Sequence, residues 1–345
     1  MSGWPVVAAA TVAQRHPAII AVAALYFVGV AVIATWATRR THDASDYFAA
    51  GKGVGIGTLT VAAMASTLSG FAFIGGPGLV YSVGIGAVFI VLSAAVTNTM
   101  GAWVLAKRLR LLREARGLFT IPDAIGARFA SPAAQGLSAT AMLAAIIGYM
   151  ATNFLALGLV IDALFSTGLS PAVWIAMLVT LSYTLTGGML AGVYTDLFEG
   201  LVKTAASVTV FWFVLRTGGG LPGISRAIMA VDATFLGPWG KMTAQSALSL
   251  FFVFGLGSLG QPHVLHKFYM LRDPRRLKWY PLIMSVVMTM TLLLFVGVGL
   301  AVRALVADGR LPALARPDDA TAAFVLGFTP SVVAGIVFAG VIAAG

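Results

Sequence analysis

Three ionisable residues stand in an otherwise apolar stretch, Thr195-Asp196-Leu197-Phe198-Glu199-Gly200-Leu201-Val202-Lys203. Asp196, Glu199 and Lys203 are spaced i, i+3 and i+7, which puts all three on one face of a helix. A charge at the middle of a bilayer costs about 2.5–3.5 kcal/mol on insertion scales, so a cluster on one face implies pairing, or contact with water or an ion. Two readings are open. In one, Asp196 caps a helix near the interface and Glu199 pairs with Lys203. In the other, the face lines a polar pathway. No zinc-type cluster and no nucleophile–base arrangement accompanies these residues, so the sequence is read as that of a protein that is not an enzyme.

A second group is polar without charge. The 54 residues between Lys52 and Lys107 carry no ionisable Asp, Glu, Lys or Arg, and in their midst lie Ala65-Ser66-Thr67-Leu68-Ser69-Gly70 and Gly75-Gly76-Pro77-Gly78. About 20 apolar residues at 1.5 Å each span a ~30 Å hydrocarbon core, so this run reads as two crossings joined near Tyr81–Gly84. Small residues also serve close helix packing. Two hydroxyls followed by Gly, and then Gly-Gly-Pro-Gly, favour a local break that frees carbonyl oxygens, which suit a hard cation such as sodium. In Leu256-Gly257-Ser258-Leu259-Gly260-Gln261-Pro262-His263, Pro262 either ends a helix or marks unwinding that leaves Gln261 to meet a carboxylate or carbonyl. His263 and His266 are expected at the interface.

The elements that must position these residues follow from composition. Of 345 residues 59% are hydrophobic and 10% charged, against about 25% charged in soluble domains, which makes this an all-α polytopic membrane protein. Windows at about 18–37, 57–81, 86–106, 137–161, 171–188, 194–215, 246–262, 281–302 and 331–345 give about nine transmembrane helices. The net charge of +10 falls in short clusters between spans, which argues against nucleic acid as a partner. Fourteen Lys or Arg lie in loops 39–56, 107–136 and 263–280, and seven on the opposite side. Positive-inside bias makes the richer side cytoplasmic and places the N-terminus outside a plasma or inner membrane. The first 14 residues lack the basic region of a cleavable signal peptide. Phe119–Phe129 is amphipathic and expected at the cytoplasmic interface, and a helix is expected to end and re-enter near Gly187-Gly188 and Gly192. Val332–Gly345 is short for a crossing, so the chain reads as a fragment of a longer protein. Gly51-Lys52-Gly53-Val54-Gly55 lacks the offsets of a dinucleotide fingerprint, and Gly218-Gly219-Gly220 reads as a loop.

Five stretches together resemble the sodium:solute symporter family: Asp46-Tyr47-Phe48-Ala49-Ala50-Gly51-Lys52, Ser69-Gly70…Gly75-Gly76-Pro77-Gly78, Thr120-Ile121-Pro122-Asp123, Tyr183-Thr184-Leu185-Thr186-Gly187-Gly188…Thr195-Asp196, and Gly260-Gln261-Pro262-His263. Their order and spacing look like those of proline and pantothenate symporters, over roughly residues 46–345. The resemblance implies the inverted-repeat fold of the leucine transporter, with 18–37 as an extra N-terminal helix, 57–215 as a first five-helix repeat and 246–345 as an incomplete second repeat. It also implies sodium bound by the carbonyls of Ala65 and Leu68, with Asp196 close by. The hydroxyl donors of the family's ion site would follow Ala343-Ala344-Gly345.

Three departures stand out. Thr67 occupies the place of an aspartate of proline symporters, Glu199 that of a usual glutamine, and Lys203 that of an apolar residue. Either Lys203 neutralises Glu199 and leaves sodium coupling intact, or its ammonium stands in for sodium or shuttles protons. The expected function is sodium-coupled uptake of a small organic solute, such as an amino acid or monocarboxylate, bound by Ser66, Thr67, Ser69, Gly70 and Gln261. No cofactor is expected beyond the coupling ion. The alternative is the membrane input module of a sensor kinase on the same fold; a passive channel is disfavoured by the lack of a pore-lining charge ring.

Overall fold

The computed structural model describes residues 17–42, 47–48, 50, 53–165 and 167–343. Most of the 46–52 stretch, the side chains of 182–187, and Ala344 and Gly345 lie outside the described residues. Among those described the protein is helical, with a lone bridge between Val54 and Leu271. Helix α1 (Pro17–Thr38) is the first crossing. It is followed by a helix in three pieces, α2 (Ile56–Thr67), α3 (Gly70–Phe73) and α4 (Gly75–Val83). A short 3-10 turn at Gly84–Ala87 leads into α5 (Val88–Gly101), which continues through a π-helical segment, Ala102–Ala106, into α6 (Lys107–Arg116). The chain goes on as α7 (Ile121–Phe129), α8 (Pro132–Phe165), α9 (Leu169–Thr217), α10 (Gly220–Val231), α11 (Ala244–Leu259), α12 (Pro262–Lys267), α13 (Tyr280–Ala307), α14 (Ala320–Phe328) and α15 (Ser331–Ala343). Six described helical stretches are long and apolar enough to cross a membrane, and four shorter apolar helices, among them α2 and α15, accompany them.

The breaks fall where backbone chemistry asks for them. Leu68 (φ −92°, ψ 92°) and Ser69 (φ −78°, ψ 178°) are extended and separate α2 from α3. Pro77 has no amide proton to give the Phe73 carbonyl one turn back. That carbonyl accepts a 2.6 Å bond from the Thr321 hydroxyl of α14 instead. Helix α9 has a non-helical joint at Gly188 (φ 55°, ψ −149°). A Cβ at Gly188 would meet Tyr47 at 2.7 Å, and the positive φ favours glycine there. Beyond that joint α9 packs on α2, where Gly200 permits the approach: a Cβ there would lie 2.7 Å from Val61 and 3.3 Å from the Ala65 Cβ.

Segments between the expected spans are folded. Residues 263–280 form α12 and two 3-10 turns tucked under the bundle, with Val54 donating to the Met270 carbonyl at 3.2 Å and Arg272 to the Val54 carbonyl at 2.9 Å. Arg110 and Arg113, counted with the cytoplasmic basic residues, are buried and donate to the Leu271 and Tyr269 carbonyls of this segment. Residues 320–328 form α14, with Thr321 and Phe324 buried. The amphipathic stretch is α7, started by a reciprocal capping box between Thr120 and Asp123.

Candidate ion and solute site

The break between α2 and α3 strips carbonyls of their helical partners, and in a low-dielectric interior each must find another donor. In an unbroken helix the Ala65, Ser66 and Leu68 carbonyls would accept from the amides four residues on. Here Lys203 of α9 donates to Ala65 at 2.8 Å and to Leu68 at 3.1 Å. Tyr149 of α8 donates to the Ser66 carbonyl at 2.8 Å. Three of the freed acceptors are thus served by two side chains from neighbouring helices.

The Ser66 hydroxyl turns to α9 and donates to Asp196 Oδ2 at 3.1 Å. The same carboxylate oxygen takes the ammonium of Lys267, from the end of α12. The Lys267 side chain is 4% exposed and that of Asp196 21%, so this ion pair is largely withdrawn from solvent. Glu199 Oε1 accepts from Tyr26 of α1 at 3.3 Å, and the Tyr26 ring stacks on Phe198. Glu199 also faces a cavity bounded by Val30, Leu157, Ile161 and Thr180. The four charged groups carry two negative and two positive formal charges.

The structure brings most of the residues chosen from sequence to one place, with differences of contact. Asp196 and Lys203 both meet the broken helix. The expected direct pair of Glu199 with Lys203 is absent: no carboxylate among the described residues lies within 4.0 Å of the Lys203 nitrogen. The exposed carbonyl pair draws the ammonium across to α2, leaving Glu199 to Tyr26. Thr67 spends its hydroxyl proton on the Ala63 carbonyl at 2.9 Å, one turn back on its own helix. Ser69 caps α3 without a side-chain bond to its amides, and Gly70 is buried as the first residue of that helix. Gln261 caps α12, and its side-chain oxygen is buried with no hydrogen-bond partner in the structure.

Sequence reasoning missed five participants. Lys267 was counted among loop cations, yet it is buried on Asp196. His263 was expected at the surface, yet its ring stacks on Tyr149 with centroids 4.8 Å apart, and its Nε2 is buried without a partner. His266 likewise turns inward to the Phe48 carbonyl at 2.8 Å. Tyr149 and Tyr26 are lone tyrosines in apolar spans, and nothing in their spacing marks them.

Comparison with known proteins agrees with this architecture. The sequence profile of the sodium:solute symporter family matches residues 47–344. The osmoregulated proline transporter OpuE of Bacillus subtilis is 29% identical over 257 residues, which are 74% of this chain and 52% of that protein. A sodium/proline symporter of Haemophilus influenzae is 32% identical over 71% of this chain and 50% of its own length. The chain therefore spans about half the length of the curated relatives it matches. A solved structure of a Na+-coupled sialic acid symporter, in a substrate-bound outward-open state, superposes with a TM-score of 0.82 at 18% identity, covering 95% of this chain and 70% of that one. The fold is thus leucine-transporter-like, the chain is multi-pass and membrane-embedded, and it belongs to the sodium:solute symporter family.

Proposed function

We propose that this chain is the transport core of a secondary active transporter that couples inward sodium movement to uptake of a small organic solute. The observation that carries this reading is the break at Leu68–Ser69, whose neighbouring hydroxyl, Ser66, faces the Asp196 carboxylate across a packed helix pair. A simple anchor has no use for an unwound, polar segment at that depth. Solute recognition falls to Ser66, Thr67, Ser69 and Gly70 on one side and Gln261 on the other. The unpartnered amide oxygen of Gln261 suits a solute that carries an N–H group. Amino acids fit that description, and the relatives named for proline make it the first solute to try. Residues 57–215 act as the first repeat and 246–345 as part of the second, with the N-terminus outside.

The test is uptake of radiolabelled amino acids and monocarboxylates by the whole protein in vesicles, with a sodium gradient and an inside-negative potential imposed or abolished. One positive charge crossing 100 mV supplies about 2.3 kcal/mol, which is roughly fifty-fold accumulation at equilibrium. Accumulation of at least one solute, lost when both gradients collapse, is the expected result. Uptake that never exceeds equilibration would remove the proposal.

A further inference from the structure

The carbonyls of Ala65 and Leu68 are the pair on which a coupling sodium was expected, and both point at the Lys203 ammonium. Lys203 is 2% exposed. An ammonium carries the same unit charge as sodium and offers three N–H donors to oxygen acceptors. We propose that Lys203 is a tethered cation that permanently takes this carbonyl site, so that the site binds no sodium and any sodium the protein carries is held elsewhere. This rests on the family's transport reading only for its setting; the occupancy of the carbonyl pair stands on geometry.

The described surroundings press closely on this carbonyl pair. From one side α9 is pressed onto α2 at Gly200. From another, α15 crosses so closely that a Cβ at Gly340 would sit 3.1 Å from the Ala206 Cβ, 3.3 Å from the Phe73 ring and 3.9 Å from the Lys203 Cα. The other oxygen ligand expected for sodium, Asp196, is already engaged by Lys267 and by the Ser66 hydroxyl. Ala65, Leu68 and Asp196, the three residues on which sodium was expected, each serve a lysine. With two carboxylates and two ammoniums the cluster is formally balanced, and an added sodium would leave a buried excess charge, which a low-dielectric interior disfavours. Glu199 makes no direct contact with the ammonium and accepts a hydrogen bond from Tyr26 instead.

The experiment counts sodium. Radioactive sodium binding to the purified whole protein is titrated for wild type, Lys203→Met, Lys203→Gln and Lys203→Arg, with melting temperature read in sodium and in choline. Lys203→Met is expected to gain about one saturable sodium equivalent per protein over wild type, and its melting temperature to rise with sodium and not with choline. Lys203→Arg, which keeps the charge, is expected to match wild type. Should Lys203→Met fail to fold, Lys203→Gln, which puts a neutral amide on a shorter stem, carries the same reading. Equal sodium stoichiometry and affinity in wild type and the neutral variants would overturn the proposal. Failure of wild type to accumulate any solute would sink the transport reading instead, and would leave the sodium count to decide this one separately.

Discussion

Two lysine–aspartate pairs sit at very different places in this molecule. Lys267 meets Asp196 beside the broken helix, with side chains 4% and 21% exposed, whereas Lys241 meets Asp232 at 3.0 Å in the α10–α11 connection, with side chains 43% and 24% exposed. The outer pair is screened by water and salt, and solvent can replace either partner. The inner pair was taken out of water at a cost that only mutual attraction and further hydrogen bonds offset. Ser66 supplies one such bond. The same chemistry is thus ornamental at the surface and structural at the break, and the difference lies in what each partner has left if the other is removed.

The strongest way to break this comparison is Lys267→Met. It leaves the Asp196 carboxylate facing only a serine hydroxyl, and we expect a loss of roughly 3–5 kcal/mol in unfolding free energy, read by denaturant titration in detergent. The double change Lys267→Met with Asp196→Leu should recover most of that loss, because no unpaired charge remains. Thr321→Val comes next. It strips the Phe73 carbonyl of its donor in a buried place, for an expected cost of about 1–3 kcal/mol. Tyr149→Phe removes one bond to the Ser66 carbonyl, worth about 0.5–1.5 kcal/mol, and should weaken solute uptake more than it lowers stability. At the bottom of the scale, Lys241→Met should leave the melting temperature unchanged within error at physiological salt. Equal effects of Lys241→Met and Lys267→Met would erase the distinction.

Acid sharpens the outer half of the comparison. Asp232 titrates below the ordinary aspartate range, held there first by the Thr234 hydroxyl and then by Lys241. A depressed folded-state pKa means its contribution is present above the unfolded value of ~3.9 and fades as pH falls through the folded one. At a pH equal to that unfolded value the Asp232 carboxylate should still be more than half ionised by NMR or infrared difference spectroscopy.

The spans and the break could be read from the chain because local chemistry fixes them. A long uncharged run, a hydroxyl–glycine cluster and a proline one turn after Phe73 act on the backbone within a few residues. The α9 joint at Gly188 was visible for the same reason. Contacts between distant segments were not, save the approach of Asp196 to the broken helix, which the family resemblance implied. Lys267 looked like one more cytoplasmic cation because hydropathy sees neighbours in sequence, and only the fold of 263–280 under the bundle turns it inward. Lys203 was singled out as an anomaly, yet its i, i+4 spacing from Glu199 suggested the wrong partner. The acceptors it meets exist only because another helix unwinds. Tyr26 and Tyr149 gave no signal, since one hydroxyl in an apolar span is equally at home at an interface.

Proline at position 77 has a mechanical consequence. Lacking an N–H, it can never satisfy the Phe73 oxygen, in this arrangement or in any other the protein visits. The bond from Thr321 therefore yokes α14 to α3. Either the two travel as one body when the bundle rearranges, or their parting admits a water molecule to the seam.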